Sequence, residues 1–314
     1  MSFDLVCIGL TTLDVVVRPI DALPEREQTI LVDGIEIVPA GTACGAALVA
    51  GALGLKTAIA GAVGDDRKGR FLRAVLEEVG VATDLLETVA GSATSTTVLA
   101  VDSEGRRPAF HALGASFQYQ ITPAVLAAAR QARAVHWGGV GSRNLDRGPG
   151  AELMAQAKSA GALTTCDLIS PNKHALDELK RLLPHVDYFL PSAVEARMLS
   201  GQEELTAAAA FFRDLGAGAC VIKNGAAGSI LGLADRTATL PAHAIAPVDT
   251  TSCGDSYCAG FIAALLRGFD AIEAARFATT TAALVAQGLG TLGKLESFEA
   301  TRAAMLTLPL QEAA

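Results

Sequence analysis

Short apolar runs that stop at a small residue alternate along this chain with alanine-rich stretches of helical length, and this alternation limits the fold more than any other feature. Residues 3–8 form such a run and stop at Gly9; 57–60, 134–137, 163–167, 188–190 and 219–223 are others. Between them, 43–53, 69–79, 150–160 and 207–215 read as helices, three of them stopped by Gly80, Gly161 and Gly216. A strand apolar at every position has no solvent face, so it belongs in a parallel sheet covered by helices on both sides. The spacing predicts an α/β fold, a doubly wound and mostly parallel sheet.

Two stretches break the rhythm. Residues 11–39 and 93–117 are rich in Val, Ile and Thr, carry turn residues and lack helical periodicity. Residues 94–102, then Gly105, then 107–112 read as a hairpin. Both stretches are expected to form a small β-sheet lid over a cleft. The core is expected over 1–10, 42–92 and 120–314, and the lid over 11–41 and 93–119.

Composition excludes several classes. Apolar residues make up 51% and charged residues 18%, which is too apolar for a disordered chain. A net charge of −8 without a Lys/Arg cluster gives no footprint for nucleic acid; the densest basic run, Arg67-Lys68-Gly69-Arg70, follows two Asp. The long uncharged run 37–55 holds Pro39 and four glycines, so it reads as loop and helix and not as a membrane span. The N-terminal sequence has no basic region of a secretory signal, and the six cysteines show no C-x-x-C pair, which points to a cytoplasmic protein with reduced thiols. Five scattered histidines give no metal-ligand pattern.

The segment Asp249-Thr250-Thr251-Ser252-Cys253-Gly254-Asp255-Ser256-Tyr257-Cys258-Ala259-Gly260-Phe261 carries the most chemistry. A polar turn feeds directly into a helix, whose first N–H groups lack partners and lie at the positive end of the dipole. Such a turn can hold a phosphoryl group. It can equally be a helix cap, since Asp and Ser are favoured there for stability alone. Cys253 lies where a helix N-terminus lowers a thiol pKa, but no His is near in sequence, and packing is the better reading.

This segment resembles the D-T-x-G-A-G-D-x-F-x-A-G-F signature of the ribokinase-like (PfkB-type) carbohydrate kinases. Other segments agree in the order that family requires. Gly64-Asp65-Asp66-Arg67-Lys68-Gly69 matches V-G-x-D-x-x-G, and Gly80-Val81-Ala82-Thr83 matches G-V-D-T. Pro39 to Ala47 resembles G-G-x-x-x-N-x-A, Pro191-Ser192-Ala193-Val194-Glu195 resembles N-x-x-E, and Lys223-Asn224-Gly225-Ala226-Ala227-Gly228 resembles T-x-G-x-x-G. The match runs from about residue 4 to residue 300.

The resemblance implies an ATP-dependent kinase acting on a hydroxyl of a small sugar or sugar-like substrate, with Mg²⁺ and K⁺ as candidate ions. Asp255 would be the base, and the N–H groups of Cys253, Gly254 and Asp255, in the turn begun by Ser252, would hold the transferring phosphoryl oxygens. Asp14, Gly41, Thr42 and Gly45 would line the substrate site. Ser192, Lys223, Gly225 and Gly228 would contact the nucleotide, and Glu195 would hold Mg²⁺ through water. Asp249 and Thr251, with carbonyls of loop 286–290, would correspond to a monovalent-cation site. Lid strands of two subunits would pair in a homodimer.

Without the family, these positions have plainer readings. Asp14 is a turn or a solvated strand residue, Glu195 an acid at a helix start, and Gly225 part of an Asn-Gly turn in a hairpin over 223–231.

Three positions depart from the family pattern: its Asn is Gly45 here, the Asn of N-x-x-E is Ser192, and the first Gly of G-A-G-D is Ser252. If position 252 takes a left-handed backbone, Ser costs about 1–2 kcal/mol there. Two other readings stay open: a nucleoside kinase on the same fold, with Phe110, Phe117 and Tyr119 as lid aromatics for a base, and a non-catalytic sugar- or nucleotide-binding member. Competing motifs fail on context. Gly288 to Gly293 spells G-x-G-x-x-G but follows a helix, and Leu55 stands where a P-loop before Lys56-Thr57 needs Gly.

Overall fold

The computed structural model describes residues 2–172 and 174–311, so positions 1, 173 and 312–314 of the expected core lie outside the described residues. In chain order the first half contains β1 (Leu5–Gly9), β2 (Thr12–Arg18), β3 (Gly34–Ala40), α1 (Thr42–Ala52), β4 (Thr57–Gly64), α2 (Arg67–Glu78), β5 (Leu86–Val89), β6 (Thr96–Ala100) and β7 (Ala109–Ala112). Then come α3 (Pro123–Gln131), β8 (Ala134–Val140), α4 (Gly150–Ser159), β9 (Leu163–Leu168), α5 (Ala175–Leu182), β10 (Tyr188–Phe189), α6 (Ala193–Ser200) and α7 (Leu205–Asp214). The chain closes with β11 (Ala219–Lys223), β12 (Ser229–Gly232), β13 (Thr237–Leu240), α8 (Cys253–Leu265), α9 (Ala271–Val285) and α10 (Phe298–Thr307).

Nine strands form one sheet in the order β13-β12-β11-β10-β9-β8-β1-β4-β5. The seven from β11 to β5 are parallel, and β12 and β13 are antiparallel. Every residue of β1, β4 and β8 is buried, which is why they read as unbroken apolar runs. Apolar residues of α1, α2, α8, α9 and α10 pack on one face, and those of α3, α4, α5, α6 and α7 on the other. The chain leaves β1 towards β4 and β5 and later resumes on its other side at β8. The crevice at the carboxyl ends of β1 and β8 is therefore a topological switch point, where such sheets bind ligands. Among the described residues, no helix is long and apolar enough to cross a membrane.

A separate four-stranded mixed sheet has the order β3-β2-β6-β7, with β2 parallel to β6 and the other pairs antiparallel. Residues 19–33 between β2 and β3 contain no strand. The Gly64–Gly69 motif roots this sheet in the core. Asp66 caps α2 by accepting the Gly69 N–H at 2.8 Å, and it also accepts the N–H and hydroxyl of Thr94 at 2.9 and 2.7 Å. Thr94 Oγ1 in turn accepts the Gly64 N–H at 3.0 Å. One carboxylate thus ties the end of β4, the start of α2 and the segment entering β6.

Candidate active site

The turn before α8 enters the helix through Ser252, whose φ of 59° and ψ of 4° are left-handed. L-residues are disfavoured there because Cβ crowds the carbonyl, so the chain places Ser where the family signature has Gly. Its carbonyl accepts the Ser256 N–H at 2.8 Å, and the helix begins. Cys253 N–H points at the Thr250 carbonyl at a long 3.4 Å, while Gly254 and Asp255 N–H have no backbone partner among the described residues. Cys253 Sγ contacts the Ala282 carbonyl at 3.7 Å. Burial and the Asp249 charge push its thiol up to about 12, against the lowering that a helix N-terminus alone would give.

Asp255 sits in the first turn of α8. Burial pushes its carboxyl up to about 7; the negative charge of Asp167 adds to this, the Lys223 ammonium opposes it, and Asp14 and Glu195 add further. Gly45 of α1 lies directly against it: a Cβ at that position would fall 2.9 Å from Asp255 Oδ2. The missing Asn side chain at position 45 is therefore also the space that Asp255 occupies.

Beneath Asp255 lies a buried ion pair, Lys223 Nζ to Asp167 Oδ2 at 2.5 Å. Burial alone disfavours the ammonium, but the adjoining carboxylate holds Lys223 protonated well above its usual range. Cys258 Sγ lies 3.3 Å from the same Asp167 oxygen. Asp167 escaped the sequence reading although it ends a predicted strand, and the carboxyl ends of parallel strands are where sites form. Its partner is 56 residues away in sequence, which hides the pair.

Ser192 and Glu195 form a capping box at the start of α6. Glu195 Oε2 accepts the Ser192 N–H and hydroxyl, both at 2.7 Å. The carboxyl still faces the cavity, where burial and Asp167 raise it above the ordinary Glu range. Asp249 Oδ1 accepts the Thr251 N–H at 2.8 Å and Oδ2 accepts the Gly290 N–H at 3.0 Å, clasping the loop after α9. The buried Thr251 hydroxyl has no partner among the described residues.

On the lid, Asp14, Thr97 and His111 form one cross-strand row over β2, β6 and β7. Thr97 Oγ1 and His111 Nδ1 are 3.0 Å apart. Asp14 is only 7% exposed; burial raises its carboxyl, against hydrogen bonds from Thr97 and Thr12. His111 meets Phe117 edge to face at 5.9 Å. Phe110 lies in the neighbouring row with Val98 and is 60% exposed, so it is on the opposite face from Asp14. Tyr119 is fully buried in the core, away from any lid role. Gly41 has φ 96°, and a Cβ there would lie 2.7 Å from the Leu10 carbonyl, so backbone packing alone already demands glycine. The Thr42 hydroxyl donates to the Gly138 carbonyl and joins α1 to β8.

The α8 turn, the α6 cap and the Asp167–Lys223 pair open into a cavity of about 580 Å³, which Asp14, Gly41, Thr42, Gly45, Asp249 and Thr251 do not line. Its polar lining includes Asp167, Ser192, Glu195, Lys223 and Asp255, with Gly225, Gly228 and Gly254 beside them, and its apolar lining includes Ala242, Ile245, Pro247 and Ala282. Arg107 reaches the cavity from the lid hairpin, and His243 and Gln311 border it. The sequence reading had assigned none of these three. Arg107 had counted only as a hairpin residue, and the other two lie outside any motif.

Comparison with known proteins identifies the family and the fold. Residues 2–297 match the pfkB family carbohydrate kinase signature. A nucleoside kinase of Methanothermobacter thermautotrophicus is 29% identical over 304 residues, covering 92% of this chain and 91% of that protein. A ribokinase of Bacillus subtilis is 27% identical over 299 residues, covering 91% and 94%. The structure of Arabidopsis thaliana ribokinase complexed with ribose and ATP superimposes with a TM-score of 0.83 at 24% identity, over 97% of this chain and 99% of that one.

Proposed function

The chain belongs to the pfkB family of carbohydrate kinases, and on that premise we propose that it transfers a phosphoryl group from ATP to a hydroxyl of a small sugar or sugar-like substrate. The observation that carries this reading is Asp255: a half-buried carboxylate in the first turn of α8, beside the open N–H groups of Gly254 and of its own backbone. Asp255 takes the proton of the attacking hydroxyl, and its raised pKa makes it a stronger base at neutral pH than an ordinary Asp. The helix N-terminal N–H groups hold the transferring phosphoryl oxygens, and Lys223, fixed by Asp167, adds positive charge at the cavity. Asp14 accepts hydrogen bonds from substrate hydroxyls and orients them. The lid excludes water, which competes with the acceptor.

Among the described residues no three acidic side chains converge as a direct metal site, so the fit is to hydrated Mg²⁺, which keeps its waters and needs a single carboxylate at the cavity. Glu195, with one oxygen committed to its capping box, would hold the ion's waters. Bound there, Mg²⁺ neutralises charge on the phosphates. The unpartnered Thr251 hydroxyl and the Asp249 carboxylate likewise suit a monovalent cation, and K⁺ is expected to raise turnover over Na⁺. A row of exposed or half-exposed apolar side chains, Ile37, Val15, Val98 and Phe110, crosses the outer lid face. A second copy covering that row gives a homodimer through the lid. We expect the enzyme to work in the cytoplasm.

A nucleoside acceptor is the second reading. The His111–Phe117 edge pair beside the Asp14 row supplies an aromatic wall for a base. The deciding experiment measures ADP release with Mg²⁺-ATP and K⁺ over pentoses, hexoses, keto-sugar acids and nucleosides. Turnover of a free sugar supports the first reading, and turnover confined to nucleosides supports the second. Ligand-induced stabilisation without any ADP release would make this a binding protein, with Gly45, Ser192 and Ser252 as the cause.

A further inference from the structure

The chain segment after α10 has a place in the cavity wall that no motif assigns. Beyond Thr307 it runs back alongside residues 242–244. The Ala244 N–H donates to the Pro309 carbonyl at 2.9 Å, and the Gln311 N–H donates to the Ala242 carbonyl at 2.8 Å. His243 and Leu310 face each other as an antiparallel bridge. The buried His243 ring ties this strap to α9, with Nδ1 at 3.3 Å from the Pro309 carbonyl and Nε2 at 2.9 Å from Thr280 Oγ1 on that helix. A carbonyl only accepts, so Nδ1 carries the hydrogen in the first contact. Leu310 is 57% exposed, so polar contacts hold the strap, not apolar burial.

We infer that residues 308–311 wall the base end of the nucleotide site and that the Gln311 side-chain amide selects the purine base of the phosphoryl donor. This rests on the kinase reading above. The anion-binding groups belong to the α8 turn and the ends of β9 and β11, so a nucleotide with its phosphates there is left the apolar part of the lining, Ala242, Ile245, Pro247, Ala282, Ala283 and Ala286, for its base. These apolar walls fit the faces of a flat ring and cannot read its edge. Three of the polar side chains nearby are already committed, while among the described residues Thr250 and Arg107 at the same cavity are not. Both His243 nitrogens are engaged, Thr279 Oγ1 donates to the Ala275 carbonyl at 2.8 Å, and Tyr257 donates to Ser229 at 3.1 Å. Gln311 is an exposed residue bordering the cavity, and its side chain has no hydrogen-bond partner among the described residues. It offers one donor and one acceptor in a plane, which complements the amino group and adjacent ring nitrogen of adenine. Guanine presents two acceptors on the corresponding major-groove edge, and the amide cannot satisfy both in the same way.

The test uses the full chain with ATP, GTP and inosine triphosphate as donors, measuring both equilibrium binding and steady-state kinetics. In Gln311→Ala the KM and Kd for ATP should rise about tenfold, with kcat at saturating ATP changing less than about twofold, and the preference for ATP over GTP should shrink by a similar factor. Gln311→Glu, which loses the donor, should weaken ATP further. A chain ending at Pro309 should repeat the Gln311→Ala result. If the wild type binds and uses ATP while all three variants keep its ATP affinity and donor preference, this inference falls and the kinase reading stands. If the wild type binds no nucleotide, both fall.

Discussion

Ser252→Gly isolates the strain at the head of the catalytic helix. Ser252 has φ 59°, where an L-residue costs about 1–2 kcal/mol relative to glycine. Glycine in turn loses about 0.4–1 kcal/mol through the greater freedom of its unfolded chain. The serine hydroxyl contributes little to the balance, because its one side-chain contact, to Thr291 Oγ1, is 3.5 Å long. The net is a stabilisation of about 0.5–1 kcal/mol. For a chain of this size that raises Tm by about 1–3 °C. The assay is reversible thermal unfolding of both forms in the same buffer, beside kcat. The substitution leaves the N–H groups of Gly254 and Asp255 in place, so kcat should change by less than about tenfold. A fall in Tm would refute the strain argument. A jump from no activity to a normal rate would show that the native serine disables the site.

Four further outcomes follow from the same structure. Because Asp255 must be ionised to act as base and its carboxyl is raised to about 7, kcat/KM should climb with pH through about 7 and level off above it. The folded state also binds the Asp255 proton more tightly than the unfolded state does, so this group lowers stability as pH rises from the unfolded carboxyl range to about 7. Asp255→Asn should therefore melt higher than wild type at pH 8, and an equal or lower Tm there would count against the burial argument. Asp66→Ala removes the α2 cap and both Thr94 bonds, for a loss of about 2–3 kcal/mol and a raised acceptor KM as the lid root loosens, read by denaturant unfolding and kinetics. Phe110→Glu should convert a dimer to a monomer in sedimentation, since it puts a charge into the apolar outer row of the lid; an unchanged mass would remove the lid from the interface.

The sequence was readable where one physical cause dominated. β1 and β8 are buried on both faces, so each appears as a continuous apolar run. The β6–β7 hairpin shows through its β-branched residues and Gly105. β4 reads short because Gly61 and Gly64 look like stops, yet both lie inside the strand, close to neighbouring chain. α9 was legible only as a helical stretch without bounds before Gly288, because Thr279, Thr280 and Thr281 are poor helix formers. In the fold each hydroxyl bonds the carbonyl four residues back, and tertiary packing overrides propensity. At the site, the helix-start residues around Asp255 were legible because their chemistry is local. The Asp167–Lys223 pair, the Asp14–Thr97–His111 row and the strap at Gln311 were not, because each joins residues far apart in sequence. Phe110 and Tyr119 show the same limit from the other side: composition marked them as lid aromatics, but strand register and core packing turn them away.

The central claim is that Asp255 is the base of a phosphoryl transfer, and the most direct test compares wild type with Asp255→Asn on the best acceptor found. The account predicts that kcat falls by a factor of about 10² or more while the affinity for Mg²⁺-ATP stays within a few-fold. A variant that keeps the wild-type kcat would contradict it, because the proton of the attacking hydroxyl would then leave by another route.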